Sequence, residues 1–460
     1  MTSTKKNSKK SSKKSSKKSS KKGAIPADGD GGGALDPRTI RVRMYRVGFG
    51  DCFLLSLPIA KGSGTTEGHR HILVDCGVHG QGDINTMAAA IDNIAEVTDR
   101  TLAAVIATHS HQDHISGFAR YGEKFSGFDI EEVWLPWCEN PEDGLALKMQ
   151  RKHAALADQL DEHFHAQAAA ASPQARTPER KAAKEAVANL VGNQKAMQLL
   201  RSGFGVNARV RYLEAGATLS NPADIPGLSV RVLGPPRDQK FLAKMDPPED
   251  QRYLRLGAGG RTETANELHP FTRRWEIARD DRRLAHLLLP ATEEKRLKED
   301  LTDASLDGLA FALDQAKNNT SLVTLFVFRG QYLLFPGDAQ YGNWKWWLDQ
   351  SEAEDILPRI NFLKVAHHGS HNATPKDALE RMSEGGFAAM ISTQNAPWAS
   401  IPRIPLVERL SQKTARRVVR SDWIKVAGAP VLKNTPPPIP TTLPKGFVQG
   451  DFWFDYLIKV

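Results

Sequence analysis

A mixed α/β fold, of the α/β or α+β class, is predicted by three features of this 460-residue sequence. Short apolar runs, some alternating with polar residues, indicate β-strands. Alanine-rich, charged stretches with helical periodicity separate groups of these runs and indicate helices. Two clusters of histidines directly follow apolar runs and indicate a site at strand ends. Strand pairing over long sequence distances, interrupted by helices, defines this fold class.

Residues 1–37 form a tail that is distinct from the rest of the chain. Residues 1–22 contain ten lysines and no acidic residue, and from Lys9 they repeat Lys-Lys-Ser-Ser. Such a segment cannot bury apolar surface, so we expect it to be disordered. A Gly/Asp/Pro-rich linker follows at 23–37. Two roles are open: a solubilising appendage, or a polycation that docks on nucleic acid or an anionic membrane surface.

The formal net charge of +9 arises in this tail. Without its ten lysines, 52 basic and 53 acidic residues remain, so residues 23–460 are close to neutral. No run approaches the roughly 20 apolar residues of a membrane-spanning helix, and the N-terminus lacks the apolar region of a secretory signal. Cys52, Cys76 and Cys138 fit neither a disulfide framework nor a CxxC zinc site. We therefore expect a cytoplasmic protein without a transmembrane segment, whose thiols are buried.

Residues 38–460 are predicted to form the folded domain. Residues 40, 42 and 44 are apolar and alternate with polar ones. The other predicted strands lie at 52–57, 71–74, 102–107, 133–135, 210–213, 228–233, 322–328, 332–335, 362–365, 388–392 and 417–419, and a helix is predicted at 405–410.

Two insertions are predicted within this domain. Residues 143–203 are alanine-rich and charged, and their apolar residues recur at helical spacing. Pro173 and Pro178 divide this stretch into a helical hairpin, which is a candidate docking surface for a protein partner. A second, charged insertion covers about 237–310.

The segment Thr108-His109-Ser110-His111-Gln112-Asp113-His114 is the strongest chemical signal in the sequence. It lies where an apolar strand ends and a helix begins. A turn there lets His109 and His111 converge on one metal ion, while Asp113 and His114 face a second ion. Imidazole nitrogen and carboxylate oxygen are ligands of catalytic zinc, and so many of them rarely crowd one strand end.

Two later segments complete the predicted site. Asp338 follows a strand in Pro336-Gly337-Asp338 and is a carboxylate able to bridge two ions. His367 and His368 also follow an apolar strand. Adjacent rings point in different directions, so one of the pair is expected to ligate, and the other to donate a hydrogen bond or contact substrate. Two divalent ions, Zn²⁺ or Mn²⁺, can together activate a water for hydrolysis of phosphodiesters, amides or lactones.

The order of these motifs resembles the metallo-β-lactamase superfamily, and most closely the branch of the ComEC metallo-hydrolase domain. Four further segments resemble that branch: Val47–Cys52, His71–Gly77, Asn319–Val323 and Leu363–Ser370. The resemblance covers about residues 38–425. It implies an αββα sandwich with two metal ions at one sheet edge, and it implies that Asp75 and Asn319 support the ligands from outside their coordination sphere.

The chain departs from the family pattern at three places. Gly234 stands where many relatives carry a histidine, so the first ion either lacks a ligand or takes His269 or His286 from the second insertion. Ser400-Ile401-Pro402 lacks the histidine of the usual Gly-His-Pro. Phe49 replaces the usual glutamine.

The sequence therefore favours a metal-dependent hydrolase, with Asp113, Asp338, His367 and His368 as catalytic residues. The branch resemblance implies a phosphodiesterase or nuclease whose lysine-rich tail concentrates nucleic acid. A near-neutral domain is also compatible with hydrolysis of a small phosphoester or lactone beneath a lid. The third alternative is a partner-activated module that binds through its helical insertion.

Overall fold

The computed structural model describes residues 35–59, 68–169, 193–205, 208–253, 315–394, 397–398, 400–423 and 442–460. The lysine-rich tail, the turn of the predicted helical hairpin and most of the second insertion lie outside these residues. Within them the chain forms two β-sheets that face each other, with helices on both outer sides. This arrangement confirms the predicted αββα sandwich.

The first sheet has eight strands in the order β14-β15-β1-β2-β3-β4-β5-β6. Its strands are β1 (Thr39–Tyr45), β2 (Cys52–Ile59), β3 (Gly68–Cys76), β4 (Thr101–Ile106), β5 (Asp129–Pro136), β6 (Arg209–Leu213), β14 (Phe447–Gln449) and β15 (Trp453–Lys459). Strands β3 to β6 run parallel, whereas β14, β15, β1, β2 and β3 pair antiparallel.

The second sheet has seven strands in the order β13-β12-β11-β10-β9-β8-β7. They are β7 (Thr218–Ser220), β8 (Leu228–Gly234), β9 (Val323–Phe328), β10 (Gln331–Phe335), β11 (Ile360–Lys364), β12 (Ala388–Ile391) and β13 (Val418–Arg420). Strands β10 to β13 are parallel. Since parallel strands end at the same sheet edge, the residues after β10, β11 and β12 come together there.

Several α-helices among the described residues connect or cover these strands. They are α1 (Met87–Thr98), α2 (Gln112–Arg120), α3 (Gly122–Phe125), α4 (Gly144–Ala169), α5 (Gln194–Arg201), α6 (Gln239–Leu242), α7 (Tyr341–Leu348), α8 (Glu352–Ile356), α9 (Lys376–Arg381) and α10 (Ile404–Lys413). No helix among the described residues is long and apolar enough to cross a membrane.

Alternation along the strands builds three layers of core. In β2, Phe53, Leu55 and Leu57 pack between the sheets, whereas Leu54 packs under α1 and α2 on the outer side. In the second sheet, Leu334 packs under α7 on the opposite outer side. Both faces of these strands are covered, which explains why they read as continuous apolar runs rather than as strict alternation.

Three strands were not predicted from the sequence: β7, β14 and β15. Strand β15 inserts between β14 and β1 and pairs with β1 along its whole length. Arg43 fixes this pairing through two hydrogen bonds to the Asp455 carboxylate, at 2.7 and 2.8 Å, and its guanidinium lies 3.7 Å from the Trp453 ring centroid. The three cysteines are free and buried, as expected.

Candidate metal centre

Four segments meet at the shared end of the two sheets: the loop from β4 to α2, the residues before β9, and the loops after β10 and β11. The first of these loops carries the histidine motif. His111 precedes α2 in an extended conformation, and Asp113 and His114 lie in the first turn of that helix. His109 and His111 therefore approach from the loop, while Asp113 and His114 approach from the helix.

One group of four side chains gathers potential metal-ligating atoms within 4.8 Å of one another: Asp113, His114, Asp338 and His368. The Asp338 Oδ2 atom lies 3.1 Å from His114 Nε2 and 3.4 Å from His368 Nε2. His368 Nε2 lies 3.1 Å from Asp113 Oδ2. All but Asp113 are almost fully buried. Residues from three separate sequence motifs thus form one compact imidazole and carboxylate cluster.

Hydrogen bonds on the far side of each ring orient the two histidines of this cluster. His114 Nδ1 donates to Asp75 Oδ2 at 2.8 Å, and His368 Nδ1 donates to the Ser392 carbonyl at 2.8 Å. Each Nε2 atom is thereby turned toward Asp338. A hydrogen bond of this kind fixes the tautomer that a metal-binding histidine requires.

Asp75 joins the histidine loop to the end of β3. Its carboxylate accepts hydrogen bonds from the Thr108 amide and the Thr108 hydroxyl, both at 2.7 Å, in addition to the one from His114. The Thr108 hydroxyl oxygen also lies 3.2 Å from His109 Nδ1. Asp75 therefore holds the loop and one ring in place; its supporting role outside the coordination sphere stays a prediction.

His109 and His111 form a second group beside the first. His109 Nε2 lies 3.1 Å from His111 Nδ1, and the centroids of the His109 and His114 rings are 4.2 Å apart. Asn318 Oδ1 lies 2.8 Å from His111 Nδ1, and Asn318 Nδ2 lies 3.4 Å from His367 Nε2. The Asn318 carboxamide thus lies between His111 and His367, and His109 adjoins His111.

The two adjacent histidines after β11 occupy different positions. Both adopt positive φ angles, 48° for His367 and 54° for His368, so their rings diverge. His368 lies inside the four-residue cluster. His367 Nδ1 donates to Asn372 Oδ1 at 3.0 Å, and its Nε2 lies 3.9 Å from Asp338 Oδ2, on the side of Asn318. The geometry thus places His368 inside the cluster and His367 at its edge.

Lys364 and Asp51 are central to the site, although the sequence analysis gave them no role. Lys364 is 2% exposed; its ammonium forms an ion pair with Asp51, lies 3.2 Å from Asp338 Oδ1 and donates to the Gly337 carbonyl at 2.9 Å. The backbone amide of Asp51 donates to the Asp113 carbonyl at 2.9 Å. The sequence indicates Lys364 in two ways. It is a lysine at the end of an apolar strand, and it lies in the segment Leu363–Ser370 that resembles the family.

The pKa shifts of the histidines reflect the carboxylates that surround them. Burial lowers the pKa of His114, but the carboxylates of Asp338, Asp75 and Asp113 outweigh burial and raise it well above its ordinary value. The pKa of His368 is likewise lowered by burial and raised more strongly by Asp338 and Asp113, to about 10. In contrast, burial and the neighbouring imidazoles of His114 and His111 lower the pKa of His109. The cluster attracts positive charge, and a divalent cation ligated by these imidazoles and carboxylates would fit it.

Asn319 and Gly234 occupy structural positions outside the clusters. Asn319 Nδ2 donates to the carbonyls of Phe241, Leu242 and Lys244, and Asn319 Oδ1 accepts from the Asn343 amide at 3.1 Å. The supporting role expected of Asn319 stays a prediction, and the contact to His111 is made by its neighbour Asn318. At Gly234 an added Cβ would lie 1.8 Å from Asn343 Oδ1, so this position cannot hold a histidine without rearrangement. His269 and His286 lie outside the described residues.

A two-sheet sandwich with imidazoles and carboxylates gathered at its edge is an architecture of metal-dependent hydrolases. The family model described as the metallo-beta-lactamase superfamily matches residues 65–126, which span β3 to α3 and include the whole histidine motif. This match supports the superfamily, and with the cluster it supports a metal-dependent hydrolase. No curated protein matches the chain.

Proposed function

We propose that this protein is a phosphodiesterase or nuclease that uses two divalent metal ions. The observation that carries the proposal is the pair of adjacent groups of ligand-type side chains: His109 with His111, and beside them Asp113, His114, Asp338 and His368. Two ions held in this way would acidify a water and stabilise the charge that develops on phosphate oxygens.

The side chains of this chain have separate tasks in the proposed reaction. Asp338 is the candidate bridging carboxylate, and its Oδ2 atom lies beside His114 Nε2 and His368 Nε2. Asp75 holds the His114 ring, and Lys364 forms ion pairs with Asp338 and Asp51. His367 is 18% exposed at the edge of the cluster. Burial lowers its pKa to about 4, so it is neutral near pH 7 and its Nε2 can contact a substrate or a leaving group as the edge residue.

An aromatic surface beside the metal centre favours a substrate that contains bases. The Phe49 ring centroid lies 4.3 Å from that of His368 and 5.0 Å from that of Trp398, and His79 lies 5.0 Å from Trp398. Trp398 is 42% exposed, which is unusual for so large an apolar side chain. Nucleobases stack on such side chains in proteins that bind single strands. Phe49, which replaces the family glutamine, supports Trp398 and thereby contributes to this surface.

A second candidate function, hydrolysis of a small phosphoester or lactone, is favoured by a cavity of about 610 Å³. It lies between α4 and α5, behind the histidine loop, where Lys317 Nζ donates to Ser110 Oγ at 2.7 Å. Its lining also includes Met149, Met197 and His153. Small-molecule sites are commonly concave and mostly apolar in this way. Asn193 from the first insertion donates to the Ser110 carbonyl at 2.8 Å, so the insertion adjoins the metal centre.

Three further predictions from the sequence, on the tail, the helical insertion and the location, are also proposals. The lysine-rich tail is proposed to bring nucleic acid to the site, and the helical insertion to bind a protein partner. A reducing, cytoplasmic location is proposed from the three free cysteines.

The test is hydrolysis of bis-p-nitrophenyl phosphate and of linear DNA by the full chain supplied with Mn²⁺ or Zn²⁺, with metal content measured on the same sample. We expect about two ions per chain, as a two-metal site requires, and loss of cleavage of both substrates in Asp113→Ala and Asp338→Ala with unchanged circular dichroism. The matched control is His371→Ala, because His371 pairs with Asp246 at the surface instead of joining the cluster. Full cleavage by Asp338→Ala would refute the proposal. Cleavage of small esters alone would favour the second candidate.

A further inference from the structure

Asn318 lies where the first metal ion would need another protein ligand. The chain has no ligand at Gly234, and that backbone packs against Asn343 so closely that no side chain fits there. If the proposed two-ion site is correct, the first ion would keep only His109, His111 and a share of Asp338. Another oxygen or nitrogen atom must approach His109 and His111 for this ion to be held as firmly as the second.

The segment before β9 delivers such an atom. Lys317 is hydrogen-bonded to Ser110 Oγ at 2.7 Å, and the Leu322 amide donates to the Thr108 carbonyl at 2.8 Å. These two contacts fix residues 317–322 along the histidine loop. Asn318, which lies between them, is 3% exposed and directs its carboxamide into the space beside His111.

The distances place two side-chain atoms, His109 Nε2 and Asn318 Oδ1, beside the same atom of His111. Because His109 Nδ1 faces the Thr108 hydroxyl at 3.2 Å, its Nε2 atom faces His111 Nδ1 at 3.1 Å. Asn318 Oδ1 lies 2.8 Å from the same His111 Nδ1 atom. Without metal, this oxygen can accept the Nδ1 proton. When a cation replaces that proton, the same oxygen lies beside the cation.

We propose that the carboxamide oxygen of Asn318 is a ligand of the first metal ion and makes that position favour Mn²⁺ over Zn²⁺. This inference rests on the proposed two-ion function and deepens it by choosing the metal. Carboxamide oxygen is a hard ligand of the kind that suits Mn²⁺, whereas imidazole suits Zn²⁺. An asparagine from the segment before β9, in place of a family histidine, would therefore change the ligand chemistry of one ion and not of the other.

A competing explanation is that Asn318 only orients His111 from outside the coordination sphere. Loss of such an orienting partner weakens metal affinity by roughly 10- to 100-fold. That loss would be similar for Mn²⁺ and Zn²⁺, because the ligands themselves would be unchanged. Metal preference, rather than affinity alone, therefore separates a ligand from a positioning residue.

The experiment measures Mn²⁺ and Zn²⁺ binding to the full chain by elemental analysis and by the electron paramagnetic resonance signal of free Mn²⁺, with no substrate present. Asn318→His replaces the oxygen by an imidazole and is expected to shift the competition at one of the two ions toward Zn²⁺ by at least about tenfold. Asn318→Asp retains an oxygen and is expected to keep two Mn²⁺ ions. Asn318→Leu is expected to retain one. Asn361→Leu is the matched control, because Asn361 lies at the end of β11 that is away from the metal site.

The outcomes are distinguishable. An unchanged ratio of Mn²⁺ to Zn²⁺ in Asn318→His, with equal weakening of both metals in Asn318→Leu, would overturn the inference while leaving the two-ion function standing. A wild-type chain that binds neither metal would overturn both. Two firmly bound ions in a wild-type chain that cleaves no phosphodiester would refute the proposed reaction. The Asn318 variants would still show whether Asn318 is a metal ligand. If Asn318→Leu fails to fold, the Asp and His variants decide the question by themselves.

Discussion

Replacing Lys364 by methionine tests how much the buried ion pairs of the site contribute to stability. Lys364 is the ammonium that faces both Asp51 and Asp338. Methionine keeps nearly the same length and fills the same space, so packing changes little. Asp338 would retain His114 and His368 at 3.1 and 3.4 Å. Among the described residues, Asp51 would retain the ring nitrogens of His114 and His368, both at 3.6 Å, and would lose the ammonium that forms its shorter ion pair.

Removing one member of a buried ion pair costs about 3–5 kcal/mol. We therefore expect Lys364→Met to lower the free energy of unfolding by that amount in chelator-treated protein, measured by urea denaturation. Asp51→Asn combined with Lys364→Met removes both charges. The double variant should be more stable than the sum of the two single changes predicts, by at least about 2 kcal/mol, since contacting residues couple.

Lys413→Met is the matched control. Lys413 is also buried, but its ammonium donates to the backbone carbonyl of Glu380 at 2.9 Å. Its replacement should cost less, about 1–2 kcal/mol, because one hydrogen bond is lost. A cost below about 1 kcal/mol for Lys364→Met, or strict additivity in the double variant, would refute the reasoning.

Three further changes test other parts of the structure. Gly234→Ala should lower the free energy of unfolding by about 1–3 kcal/mol, because its Cβ would meet Asn343 Oδ1 at 1.8 Å. The control Gly80→Ala, whose Cβ would have no atom nearer than 3.8 Å, should leave the free energy of unfolding unchanged. Equal melting temperatures of the two variants would contradict the packing argument. Trp398→Ala should weaken binding of single-stranded DNA by about 5- to 150-fold but leave an abasic strand unaffected, and equal effects on both strands would exclude stacking. Deleting residues 1–22 should reduce the salt dependence of DNA binding while hydrolysis of bis-p-nitrophenyl phosphate stays constant; an unchanged salt slope would remove the tail from the binding surface.

The cluster of ligand-type residues was predictable because local sequence determines most of it. The histidine motif follows a strand and precedes a helix, and parallel strands bring Asp338 and His368 to the same edge. The choice between His367 and His368 was not predictable. It depends on two consecutive positive φ angles, which the sequence His-His-Gly does not specify.

Contacts between distant segments explain the other differences. Strand β15 lies more than 400 residues from β1 in sequence but pairs with it from Thr39 to Tyr45, and no local pattern indicates which edge it joins. Asn318 and Asn319 are neighbours, yet the first contacts His111 and the second contacts the backbone around α6. Only the path of the segment between Lys317 and Leu322 along the histidine loop assigns these two roles.

The charge of the site bears on the proposed action of a nearly neutral domain on a polyanion. Three aspartates, Asp51, Asp75 and Asp338, are buried together, Asp113 lies beside them, and Lys364 is the one ammonium in direct contact with this described group. Without metal, this excess of carboxylates repels a phosphodiester. Two divalent ions would reverse the sign of the local charge, since ions dominate the electrostatics of such sites. Affinity for phosphate therefore need not come from a basic surface, and the near-neutral charge of residues 23–460 is no argument against a nucleic-acid substrate.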